Sequence, residues 1–208
     1  MNEPSLIQSN KNERDTSAIS LLVSNIITLI LALIQKWDIS DVMWVYWGQS
    51  VIIGFFNWKR IRSLKQFSTD GLMMNNQPVV ASKVAQRQIA LFFALHYGVF
   101  HLAYLTFLIQ FKSSLSSDAW IWISGCIVMF FFNHRFSYQY NLERDLRRVP
   151  NIGTIMMFPY ARILPMHLTL IFGSMIGKGS WWELILFLSL KTIADLIMHT
   201  VEHRESKS

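Results

Sequence analysis

A chain of 208 residues that is 52% hydrophobic and only 15% charged, with eight Trp and fifteen Phe, is too oily for a soluble domain of its size. It reads as an all-α, polytopic membrane protein. The single cysteine, Cys126, excludes an internal disulfide, a CxxC redox pair and a cysteine-held iron–sulfur cluster, and no loop is large enough to turn the net charge of +6 into a folded nucleic-acid-binding domain.

In chain order, residues 1–16 (MNEPSLIQSNKNERDT) form a polar tail, with no small-residue cleavage site after the first apolar stretch, so an uncleaved N-terminus is expected. Residues 17–203 then read as one domain of six helices. A hydrocarbon core of about 30 Å needs about 20 apolar residues per helix, which selects spans near 17–35, 41–58, 87–111, 118–137, 154–176 and 181–200. The short connections KWDIS, KSSLSSD and GKGS make hairpins of successive spans. The long loop after the second span contains TDGLMMNNQP, which carries turn chemistry, and residues 204–208 close the chain as a tail.

Charge sets the expected direction. The N-terminal tail, the two long loops and the C-terminal tail hold fourteen of the nineteen Lys and Arg, while the other three connections hold Lys36, Lys112 and Lys178. Basic residues stay on the inner side, so both termini are expected in the cytoplasm, with an anionic lipid bilayer as partner. A homo-oligomer is compatible with this reading; no substrate is legible.

The oily spans carry polar residues. His96 and His101 lie on the third span, His134 on the fourth, Arg162 and His167 on the fifth, and Lys191, Asp195 and His199 on the sixth. At about 1.5 Å of rise per residue, His96 is expected about 14 Å from the inner boundary, Arg162 about 12 Å and Asp195 about 8 Å, with His134 and His199 nearer the surface. An Asp or Lys at mid-helix costs about 2.5 to 3.5 kcal/mol, whereas each Leu, Ile or Phe returns about 0.3 to 0.6. Such residues need partners on neighbouring helices. Pro159 and Pro165 free carbonyls around Arg162 and His167 and can bend the fifth span. On the third span Tyr97, His101 and Tyr104 share one face, His96 lies about 140° away from His101, and Gly98 would admit a close neighbour.

Converging imidazoles and a carboxylate suit a transition metal, zinc ahead of iron or copper. His96, His134, Asp195 and His199 are the expected ligands, with His167 as a further one. Arg162, Lys191, Tyr97 and His101 would orient them or hold a substrate. An open zinc position would make a metal-dependent enzyme conceivable. Haem ranks lower, because the histidines do not form clean facing pairs. A proton or ion relay is the alternative, as is a dry network of salt bridges.

The motifs HYGVFH, NHRFSY, PYARILPMH and LKTIADLIMHTVEH, in that order, resemble those of an uncharacterised prokaryotic membrane family known as domain of unknown function 6498. The resemblance runs from about Ile89 to His203 and implies a multi-helix inner-membrane protein. In it His96, His134, Arg162, His167, Lys191, Asp195 and His199 fall on motif positions. It implies no particular chemistry.

Overall fold

The computed structural model describes residues 39–110 and 117–176, with 23, 26–28, 30, 31, 34, 37 and 190 besides. The first and sixth expected spans therefore fall largely outside the described residues, as do Lys191, Asp195 and His199 and the side chains of Arg162 and His167.

The described chain is predominantly helical: α1 is Ile39–Ser63, α2 Lys83–Gln110, α3 Ser117–Leu146 and α4 Ile152–Ile176. Each covers one expected span. α1 and α3 run beyond their expected inner ends at 58 and 137, because charges end an apolar run without ending backbone hydrogen bonding. α4 continues through both Pro159 and Pro165. Side chains cap two helix starts: Ser82 Oγ accepts the Ala85 N–H at the start of α2, and Asn151 Oδ1 accepts that of Thr154 at the start of α4.

α1 is the central helix and packs against the other three. Its buried residues Val42, Val45, Tyr46, Gln49, Ser50, Phe56, Asn57, Arg60 and Ile61 recur at helical spacing. Contacts fix the directions. Trp47 meets His101 and Gln86 meets Ile61, so α2 is antiparallel to α1. Gln49 meets His134 and Arg60 meets Asp145, so α3 is parallel to it, in a register that keeps the same eleven-residue spacing on both helices. The four helices thus alternate in direction, α4 running antiparallel to α1 with Ile155 opposite Asn57 and Asn151 beside Ser68. Phe93, Tyr97 and Tyr104 of α2, Ile123, Cys126 and Phe130 of α3, and Ile152 and Ile155 of α4 complete the core.

The loop between α1 and α2 is built, and it adds a small β element to the helical fold. Met73–Met74 (β1) and Gln77–Pro78 (β2) pair antiparallel, with Met73 opposite Pro78. Asn75 and Asn76 both have positive φ, 50° and 60°, as a type I′ turn demands, and Gly71 at 77° turns the chain into the hairpin. A parallel bridge between Ser68 and Asn151 ties this loop to the one before α4, with Ser68 N–H donating to Pro150 O and Ile152 N–H to Ser68 O. The loop before α2 and the short connection of residues 147–151 before α4 thus form one folded cap, since the rest of the second expected loop is helical as far as Leu146.

Candidate functional site

The polar side chains of the interior gather along α1. Ser50 Oγ lies 2.9 Å from His101 Nε2 and 2.8 Å from the Tyr97 hydroxyl, which also donates to the Ser50 carbonyl at 3.0 Å. His101 Nδ1 lies 2.8 Å from the Tyr97 carbonyl oxygen. That oxygen can only accept, so Nδ1 carries a proton, and in the neutral ring Nε2 accepts from Ser50. The order is fixed by chemistry: Tyr97 donates toward Ser50, and Ser50 donates to His101. The Tyr97 and His101 rings stack with centroids 4.3 Å apart, one helical turn from each other.

One residue along α1, Gln49 points to the other side. Its carboxamide nitrogen donates to His134 Nε2 at 3.3 Å, between buried groups. His134 therefore lies level with the middle of α1, about 16 Å along the axis from the Arg60–Asp145 pair. The span boundary at Ser137 puts it closer to the surface than the register does, because α3 continues to Leu146.

His96 has a different setting. It is exposed, stacks on Phe92 with centroids 5.2 Å apart, and its Nδ1 lies 2.9 Å from the Tyr160 hydroxyl of α4. The 140° between His96 and His101 separates them as the sequence implies: His101, Tyr97 and Tyr104 are buried on one face, and His96 is on another. Tyr160 connects the two faces, since its ring meets Tyr97 edge-on with centroids 5.6 Å apart.

Of the five expected metal ligands, His96 and His134 have described side chains, and they meet different partners on different helices. His167, Asp195 and His199 lie outside what is described. Among the described residues no three His, Cys, Asp or Glu side chains assemble as a metal would need. Of the four expected supporting residues, Tyr97 and His101 come together on Ser50, while Arg162 and Lys191 lie outside. The hub is a helix with no site residue singled out in the sequence. Ser50 and Gln49 had one signal, two adjacent polar residues on the stripe of Val42, Val45 and Tyr46.

A helical bundle with a polar hub along α1 is thus the class of arrangement on view, and among the described residues α2 is the one helix long and apolar enough to cross a membrane by itself. The chain belongs to the family described as Family of unknown function (DUF6498), whose model matches residues 8–208. The match takes in the first two spans and the folded cap as well as the motifs from Ile89 onward. No curated protein and no solved structure matches the chain.

Proposed function

We propose that this is a six-helix protein of a bacterial or archaeal cytoplasmic membrane, with both termini inside, and that its interior polar chain moves protons. Support for the bilayer comes from an inverted distribution of polarity. On α2 the buried stripe contains Gln86, Tyr97, His101 and Tyr104, while the outward face presents Leu95, Val99 and Leu102 at 62 to 65% exposure. The same stripe also buries Ile89, Phe93 and Leu108, so it is the row of large aliphatic side chains on the exposed face that a helix in water would not carry. In lipid, apolar residues face outward and polar ones need interior partners.

The observation that carries the functional reading is the position of Ser50, within hydrogen-bond distance of both the Tyr97 hydroxyl and His101 Nε2. Each of these groups can accept one proton while releasing another, which a relay needs and a static salt bridge does not supply. Tyr160 and the exposed His96 form a second hydrogen-bonded pair toward the outer face of α2, which meets the hub through the ring contact of Tyr160 with Tyr97. The test is proton flux into proteoliposomes holding a pH-sensitive dye under an imposed potential. Wild-type protein should exceed protein-free vesicles, and Ser50→Ala and His101→Gln should return flux to background. Flux equal to protein-free vesicles, or flux untouched by Ser50→Ala, sinks the relay.

A transition-metal centre is the second reading, and the burial of His134 at mid-helix favours it. With Asp195, His199 and His167 it would form a nitrogen and oxygen set suited to zinc before iron or copper. Arg162 and Lys191 would then orient the carboxylate or hold an anionic substrate, and a metal-dependent enzyme follows only if a coordination position stays open. Elemental analysis after chelator-free purification should find near-stoichiometric metal that His134→Ala reduces; metal-free wild-type protein retires this reading. A Soret band would put haem in its place.

A further inference from the structure

At the cap end of α1, two guanidinium groups share one carboxylate. Arg60 Nε donates to Asp145 Oδ2 at 2.5 Å, and Arg148 Nη2 lies 3.4 Å from Asp145 Oδ1. Both carboxylate oxygens are therefore engaged. The Arg60 side chain is 7% exposed and that of Asp145 0%, so this pair is held away from water. Arg60 Nη2 is buried and, among the described residues, has no hydrogen-bond acceptor. A buried charged donor without an acceptor is unfavourable, and hydrogen-bond donors in this state point to an acceptor not yet named.

The surroundings select its chemistry. Lys59 lies over the Tyr138 ring at 5.3 Å and Arg62 over the Trp58 ring at 5.0 Å, so cations and aromatics alternate at this level, as they do beside lipid headgroups. Glu143, the nearest other acid on α3, is exposed and within ion-pair distance of Arg147 instead. Arg148 is the partly exposed member and forms the approach from solvent. The remaining N–H groups of Arg60 suit the oxygens of a tetrahedral anion, which a planar guanidinium can grip through two donors. We propose that Arg60 and Arg148, set around Asp145, form a binding site for a phosphate group, supplied by an acidic phospholipid headgroup or by free phosphate.

The lipid source rests on the membrane placement proposed above; the phosphate source does not. Native mass spectrometry of the full chain in maltoside micelles tests both, with phosphatidylglycerol, with diacylglycerol as the phosphate-free control, and with inorganic phosphate as competitor. Phosphatidylglycerol should bind in preference to diacylglycerol, and Arg60→Gln combined with Asp145→Asn, which removes the ion pair without stranding a charge, should weaken it about tenfold. Arg60→Lys keeps a cation for Asp145 but loses the second donor, and should weaken it too if the double variant does not fold. Displacement by millimolar phosphate, or binding of phosphate alone, supports the same site with the free anion as its source. Equal retention of both lipids with no phosphate binding overturns the proposal, as does phosphatidylglycerol binding that folded variants leave unchanged.

Discussion

Gly54 and Tyr97 approach so closely that a Cβ on residue 54 would collide with Tyr97 Cε1 and lie 2.7 Å from Cδ1. The ring has little freedom to retreat, because its hydroxyl is held by Ser50 and its other side meets Phe93 and His101. The missing side chain at Gly54 is what lets α1 and α2 close around the polar hub. Gly98, which the sequence offers for such an approach, has nothing within 4 Å of an added Cβ.

Gly54→Ala should therefore destabilise the protein by about 1 to 3 kcal/mol, the range for overpacking a filled interior. Thermal unfolding in detergent reads this directly. In a Tyr97→Ser background the same substitution should cost much less, and a double-mutant cycle showing no coupling would mean that the ring is not what Gly54 accommodates.

The direction of the hydrogen bonds around Ser50 ranks two further substitutions. Ser50→Ala removes the hydroxyl that donates to His101 Nε2 and strands that buried nitrogen, while the Tyr97 hydroxyl keeps the Ser50 carbonyl as its acceptor. Tyr97→Phe leaves the Ser50–His101 bond intact. Stranding one buried polar atom costs about 1 to 3 kcal/mol. Ser50→Ala should therefore lower the melting temperature more than Tyr97→Phe, and the reverse order would contradict the donor sequence drawn here.

The Arg60–Asp145 pair gives an asymmetric prediction. Asp145→Ala leaves buried guanidinium charge without its carboxylate and should cost about 3 to 5 kcal/mol. Arg60→Met with Asp145→Leu removes both charges while keeping volume, so its cost should be well below that of the single substitution. Chemical denaturation of the three proteins decides this; equal losses would show that the pair is not coupled.

The helices were legible because their signals are long. Apolar runs located α1 to α4, and the turn chemistry of TDGLMMNNQP marked the hairpin that Asn75 and Asn76 form. Helix ends were less legible, since a hydropathy count stops at Ser137 whereas α3 continues to Leu146. In the interior, His101 and His134 stood out because an imidazole in an oily run is costly. Their partners Ser50 and Gln49 did not, because small or neutral polar residues carry little hydropathy cost and their role depends on which helix lies opposite. Arg60 and Asp145 counted only as loop charges for the same reason: their pairing is set by the register of α1 against α3, which no local pattern encodes.

The cap supplies the last prediction. The final carbonyls of a helix have no partners within it, and at the end of α1 Gln86 provides them, its Nε2 donating to Ile61 O at 2.7 Å and Leu64 O at 3.0 Å. Lys83 Nζ adds a second donor to Leu64 O and holds the Gln86 carboxamide through Oε1. Gln86→Leu keeps the bulk but withdraws both donors from a buried position, so the last turn of α1 should fray while the hub at Ser50, about 16 Å away along the helix, stays closed. Hydrogen exchange resolves the two regions: amides near residues 61–68 should exchange at least about tenfold faster, the rate equivalent of about 1.4 kcal/mol of lost local stability, with those near residue 50 unchanged. Acceleration spread evenly along α1 would show that Gln86 acts on the whole bundle, and no acceleration would mean that Lys83 alone suffices to cap the helix.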